Sequence, residues 1–194
     1  MWGSCFTAND HEKAGPKYMA KTLKLERFQE ADFALLNSYV REPKFLLQWA
    51  GPKYQFPLTY EQISLRDAKT IDSKKAVYVF KAVEAGSNRT LGFIELVIQD
   101  YIQKKAIVES VLIHDEYRGK GLGKQLVKAI IHFAFADLGM DELLLGVFDF
   151  NKPAIACYKD LGFEQTGIIQ MKSPFEDIIW NSLIMSLPRS RWKQ

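Results

Sequence analysis

Three glycines at alternate positions, in Arg118-Gly119-Lys120-Gly121-Leu122-Gly123-Lys124, punctuate the chain between two strongly apolar segments. Before them, residues 106–113 (AIVESVLI) form a near-continuous apolar run, as expected of a strand buried on both faces. After them, residues 121–138 read as a long helix with a polar stripe of Gln125, Lys128 and His132, stopped by Gly139. A helix start leaves backbone N–H groups without partners, and the macrodipole adds positive potential there. Glycine lets the main chain approach an anion without side-chain interference. Strand, glycine loop and helix together predict a pyrophosphate site, with Lys120, Lys124 and Lys128 adding positive charge on the approach.

The spacing excludes two common phosphate loops. A nucleoside-triphosphate loop needs a Ser or Thr after its Gly-Lys, and here Gly123-Lys124 is followed by Gln125. A dinucleotide fingerprint needs Gly-x-Gly-x-x-Gly, and here the glycines fall at 119, 121 and 123.

The rest of the chain supplies a mixed α/β sheet. Residues 22–28 (TLKLERF) alternate as a half-buried strand. Residues 30–40 read as a helix with Ala31, Ala34, Leu35 and Tyr39 buried, and Pro43 opens a second short helix over 44–50. Gly51-Pro52 breaks the chain, and residues 51–60 are aromatic-rich. Thr59 caps a helix to about residue 68, with Gln62 placed to complete a capping box. Residues 76–84 and 91–99 form a hairpin through a turn at 85–88. Residues 142–149 are a buried strand, 153–161 a short helix, and 163–171 and 178–187 the closing strands. This order predicts one sheet with helices on both faces and a parallel crossover between residues 107 and 148.

Length and composition bound the partners. The 194 residues suit one domain, set at residues 22–190. Residues 1–21 read as a tag, an upstream extension or a disordered arm. Asp10, Glu12 and Lys13 exclude a secretory signal there. The net charge of +3 and the scatter of basic residues argue against nucleic acid. No stretch reaches the ~20 apolar residues of a membrane span. Cys5 and Cys157 suggest no disulfide framework, so the expected location is the cytoplasm. Three histidines scattered along the chain, with His114 and His132 read as solvated, give no metal site.

Arg118-x-x-Gly121-x-Gly123 resembles the Arg/Gln-x-x-Gly-x-Gly/Ala signature of GNAT-type N-acetyltransferases. The preceding segment 109–117 resembles that family's central strand and following turn. Asn151-x-x-Ala154-x-x-x-Tyr158-x-x-Leu161-Gly162-Phe163 resembles its second signature. The matching region covers residues 106–167, and the segment around Leu46–Pro52 is similar to one in bacterial members. The resemblance implies the GNAT fold, acetyl-CoA as co-substrate without a metal, and direct acetyl transfer to a primary amine in a ternary complex. The acceptor is a small molecule or a protein N-terminus, and members of the family often pair as homodimers. The resemblance places the coenzyme pyrophosphate on Gly119, Gly121, Leu122, Gly123 and Lys124, flanked by Arg118 and Lys120. It places the pantetheine arm on the strand Val111-Leu112-Ile113, with Asn151 holding that arm or capping the next helix. Tyr158 matches the general-acid position and is counted among the coenzyme-binding residues too.

A lysine-like amine with pKa ~10.4 must lose a proton before it can attack. Glu109 is the first candidate base and Glu95 the second; either could equally be a structural carboxylate paired with Arg or Lys. Some members carry a glutamate where this chain has Gly146. Trp49, Tyr54 and Phe56 either line an acceptor pocket or belong to the core, and the loop 172–177 borders the acceptor. A coenzyme-A-binding sensor module without turnover is the competing reading; Tyr158 and the two carboxylates favour the enzyme.

Overall fold

The computed structural model describes residues 23–68 and 76–193, without the side chains of 67 and 68. Cys5 and the expected leader 1–21 lie outside the described residues. The strands are β1 (Leu23–Arg27), β2 (Val77–Glu84), β3 (Thr90–Asp100), β4 (Lys105–Ile113), β5 (Glu142–Phe148), β6 (Glu164–Lys172) and β7 (Ile179–Pro188). The helices are α1 (Phe33–Tyr39), α2 (Pro43–Ala50), α3 (Tyr60–Ala68), α4 (Leu122–His132) and α5 (Lys152–Asp160). All seven strands form one sheet in the order β1-β2-β3-β4-β5-β7-β6. Only β4 and β5 run parallel, and α4 connects them.

Each face of the sheet has its own apolar layer. Leu25, Phe80, Ile94 and Val108 pack with Leu126 and Ile130 of α4. On the opposite face Val79, Phe93 and Leu112 pack with Leu36 of α1, Leu46 of α2 and Ile63 of α3. Helix α4 ends in a π-helical turn, Phe133–Asp137, before Gly139 at φ 68° releases the chain.

Three local expectations change. Ala31, Ala34 and Leu35 are exposed, and Leu36 is the buried residue of α1. A 3-10 turn at Glu30–Asp32 precedes α1 and rotates the helical face that meets the sheet. The capping box at Thr59 is half made. The Gln62 amide donates to Thr59 Oγ1 at 3.4 Å, while the Gln62 side chain reaches back to Gln55 and the Pro57 carbonyl. Strand β4 is not uniformly buried, because Ile107, Glu109 and Val111 are only half covered.

Two irregularities in β4 build the centre of the molecule. From Glu95↔Glu109 to Phe93↔Leu112, β3 advances two residues and β4 three. The extra residue is a bulge, and Ser110 takes φ 50° there. The bulge reverses the facing of the strand. Ala106 and Val108 join the α4 layer, while Leu112 joins the other. Gly92 makes this close pairing feasible, since a Cβ there would overlap the Leu112 carbonyl oxygen. The second irregularity is on the other edge of β4. Its pairing with β5 covers only Lys105↔Glu142 to Val108↔Leu145, and beyond that the two parallel strands diverge.

Candidate active site

The glycine loop stands open. Gly119 and Gly121 both take φ 75°, and nothing lies within 4 Å of a Cβ built on either. Gly121 is the N-cap of α4, and no side chain caps it. The helix's own bonding starts at Gln125, whose amide donates to the Gly121 carbonyl at 3.3 Å. The amides of Leu122, Gly123 and Lys124 therefore lie in the unpartnered first turn, the kind of place that attracts an anion.

The cations around the loop have local duties. Arg118 Nε donates to the Ile113 carbonyl at 3.1 Å, and its guanidinium pairs with Asp115 at 2.8 Å. Arg118 thus braces the loop against the end of β4. Lys120 Nζ donates to the Glu116 carbonyl at 3.1 Å, and Lys124 pairs with Asp160 of α5 at 3.2 Å.

Beyond Val108, the edge of β4 that faces β5 has no ladder partner on that strand. The His114 amide donates to the Leu91 carbonyl at 3.0 Å, so it faces β3. Amide direction alternates along a strand, so the amides of Ile113 and Val111 face the gap. That is the edge an extended pantetheine arm can join by strand addition. Across the gap β5 ends at Phe148, and Asn151 caps α5 by accepting from the Ala154 amide at 3.3 Å. The capping alternative for Asn151 is the one the geometry realises. Tyr158 of α5 is buried against Phe163, with ring centroids 6.0 Å apart. Burial pushes its hydroxyl above the ordinary tyrosine value, so it stays protonated.

Glu95 and Glu109 are directly opposed across β3 and β4. Like charges in that position repel, and two cations neutralise them. Lys53 Nζ lies 2.7 Å from Glu109 and 3.4 Å from Glu95. Arg66 lies 3.1 Å from Glu109 and 3.5 Å from Glu95. Tyr54 donates its hydroxyl to Glu95 at 2.9 Å. Burial and the adjacent Glu95 push Tyr54 well above its ordinary value, so it remains the donor. The Glu95 side chain is 4 % exposed and that of Glu109 28 %, so Glu109 is the more open of the two carboxylates.

The aromatic residues separate. Tyr54 is buried in the cluster, and Trp49 packs half-buried on the same apolar layer. Phe56 is exposed, so it does not belong to the core. The loop before β7 does reach α2, because Lys44 Nζ pairs with Glu176 at 2.7 Å. At the end of β5, Phe148 and Phe150 stack at 5.2 Å, and Trp180 meets both edge-on.

Sequence reasoning missed Lys53 and Arg66, which lie 13 residues apart in the chain and far from both carboxylates. A buried-strand glutamate was the available signal, since it demands a cation somewhere. It also misplaced His114. That ring is buried, stacks on Tyr39 at 4.1 Å and lies 5.6 Å from Phe93. Burial lowers its pKa to about 4, so it is neutral in the fold. His132 packs edge-on against Trp192 at 5.5 Å. Cys157 is half-buried, and burial pushes its thiol up, away from nucleophilic use. Among the described residues no group of three metal-binding side chains clusters, and no helix is long and apolar enough to cross a membrane.

An uncapped glycine turn, an unpaired β4 edge and a buried tyrosine beyond the gap define an acyl-coenzyme-A-dependent transferase. The chain belongs to the GNAT acetyltransferase family, whose model matches residues 41–163. It is an acetyl-CoA-dependent N-acetyltransferase. Among curated relatives, the spermidine N(1)-acetyltransferase of Vibrio cholerae is 23% identical over 150 residues, covering 77% of this chain and 83% of the relative. The spermidine N(1)-acetyltransferase of Escherichia coli K12 is 26% identical over 148 residues, covering 76% of each. Among solved structures, the Vibrio cholerae spermidine N-acetyltransferase in complex with CoA and spermine superposes with a TM-score of 0.73. It is 19% identical, covering 87% of this chain and 96% of that one. At that identity the superposition establishes the GNAT fold.

Proposed function

We propose that the acceptor is a small aliphatic primary amine bearing a second positive charge, as in a polyamine, and that the enzyme works in the cytoplasm as a homodimer. The observation that carries the catalytic reading is the parting of β4 from β5 after Val108, with Glu109 at the head of the gap. The names of the two spermidine-acetylating relatives support the acceptor class. So does the chemistry past the end of β5, where the half-buried Phe148 and the exposed Phe150 stack beside Asp149. Aromatic faces and carboxylates both attract an ammonium.

Acetyl-CoA supplies the thioester. The first-turn amides of α4 hold its diphosphate, and the Val111 and Ile113 amides hold its pantetheine arm. Glu109 takes the proton from the acceptor ammonium, directly or through water, and Lys53 and Arg66 keep its carboxylate in place. A main-chain amide beside the bulge donates to the developing oxyanion. Tyr158 gives its proton to the departing sulfur. Thiol and tyrosine have ordinary pKa values of ~8.5 and ~10, so sulfur leaves tolerably well without that proton.

The test is thiol release from acetyl-CoA against spermidine, a diamine, an amino acid and a peptide N-terminus. Spermidine and the diamine are expected to give the highest kcat/KM. Preference for the peptide or the amino acid would overturn the acceptor class.

A further inference from the structure

Five buried side-chain polar atoms have no hydrogen-bond partner among the described residues. Three of them, Trp49 Nε1, Glu95 Oε2 and Ser110 Oγ, belong to residues that line one cavity. Leu36 of α1, Ile63 of α3 and Phe93 of β3 are among its apolar walls. The cavity measures about 10 Å³, room for one water molecule and nothing larger. A buried polar atom left unmet carries its full desolvation cost, so three of them around one water-sized space point to a shared partner.

The three atoms are complementary. An indole N–H only donates, a hydroxyl can donate, and a carboxylate oxygen accepts. Glu95 Oε1 already accepts from Tyr54 at 2.9 Å, whereas Oε2 meets Lys53 and Arg66 only at 3.4 and 3.5 Å. One water can accept from Trp49 and Ser110 and donate to Glu95. Three bonds are the usual complement of a buried water.

Ser110 needs such a hold. It takes φ 50° at the bulge of β4, a costly conformation for a residue with a side chain. The register passes from Glu109 to Leu112 without a β3 partner for Ser110. Its chain neighbours are Glu109 and Val111, the carboxylate of the ion cluster and an amide facing the β4–β5 gap. A swing of the main chain at Ser110 would displace both.

We propose that one water molecule is a fixed part of this enzyme, bound by Trp49, Ser110 and Glu95, and that it pins the bulge so that Glu109 and the Val111 amide meet the reactants in register. Trp49 and Ser110 are then positioning residues that act through the water. Their role rests on the proposed function of Glu109 and Val111; the water site itself does not.

The experiment joins a crystal structure of the coenzyme A complex, at a resolution that shows waters, to the kinetics of three variants. The wild type is expected to show one water within about 3.2 Å of all three atoms. A cavity without it overturns the proposal. Ser110→Ala and Trp49→Phe are each expected to lower kcat about tenfold, with the KM for acetyl-CoA and calorimetric binding of coenzyme A unchanged. The double variant is expected to be no slower than the slower single one, because both lose the same bridge. Ser110→Gly removes the hydroxyl while relieving the backbone, and is expected to be as slow as Ser110→Ala. A wild-type kcat in Ser110→Ala or Ser110→Gly overturns the positioning role, and losses that multiply in the double variant overturn the shared water. Wild-type enzyme that shows the water but releases no thiol with any amine overturns the functional reading instead.

Discussion

Lys53 Nζ stands 2.7 Å from Glu109 and 3.4 Å from Glu95, so one ammonium bridges two carboxylates that the sheet holds face to face. The strands alone would force a repulsion at the centre of the site. The segment between α2 and α3 supplies the ion that converts it into a cluster.

Removing that ion should cost stability. For Lys53→Met we expect a loss of about 2 kcal/mol, between the values for exposed and buried pairs, because Glu109 keeps partial contact with water. Urea denaturation measures it. The effect should be less than additive with Glu95→Gln, which relieves the same repulsion. Full additivity would show that the two residues act independently.

Glu109→Gln tests the proton route. We expect kcat/KM at pH 7 to fall about 10²-fold, a typical general-base contribution. The remaining rate should climb tenfold per pH unit as the free amine deprotonates by itself. A variant whose pH profile overlays the wild type would remove Glu109 from the reaction.

Tyr158→Phe should lower kcat at the small end of the general-acid range, about 10²-fold, with little change in acetyl-CoA binding. The ring packs on Phe163, and phenylalanine preserves that contact. A weakened affinity with kcat unchanged would assign Tyr158 to binding.

Gly121→Val tests the diphosphate site. Its φ of 75° is strained for any side chain, and most for a β-branched one. Calorimetric affinity for coenzyme A should fall at least about tenfold while the fold persists. Unchanged affinity would place the diphosphate elsewhere.

His114 sets an acid limit on stability. Its pKa is about 4 in the fold, below the ordinary ~6.5 of the unfolded chain. The unfolded chain therefore binds the proton first, and stability should be constant above about pH 6.5 and fall from there towards pH 4. The groups facing the ring are Tyr39, Phe93, Tyr117, Asp115 and Arg118. His114→Phe keeps the stack on Tyr39, and its melting temperature should fall less over that interval. Parallel curves for wild type and variant would exclude His114 as the cause.

The order of strands and helices, the glycine turn that opens α4 and the parallel crossover were all legible in the chain. They depend on periodicity, on glycine and on capping chemistry, which are written into neighbouring residues. Leu36 in place of Leu35 shows the limit, because a single 3-10 turn at Glu30–Asp32 turns the helix and only packing reveals it. The bulge at Ser110, the meeting of Lys53 and Arg66 with the two glutamates, and the burial of His114 belong to the tertiary structure alone. Each depends on which residues distant in the chain come into contact. A buried charge states that it needs a partner, and only the folded chain decides which one it meets.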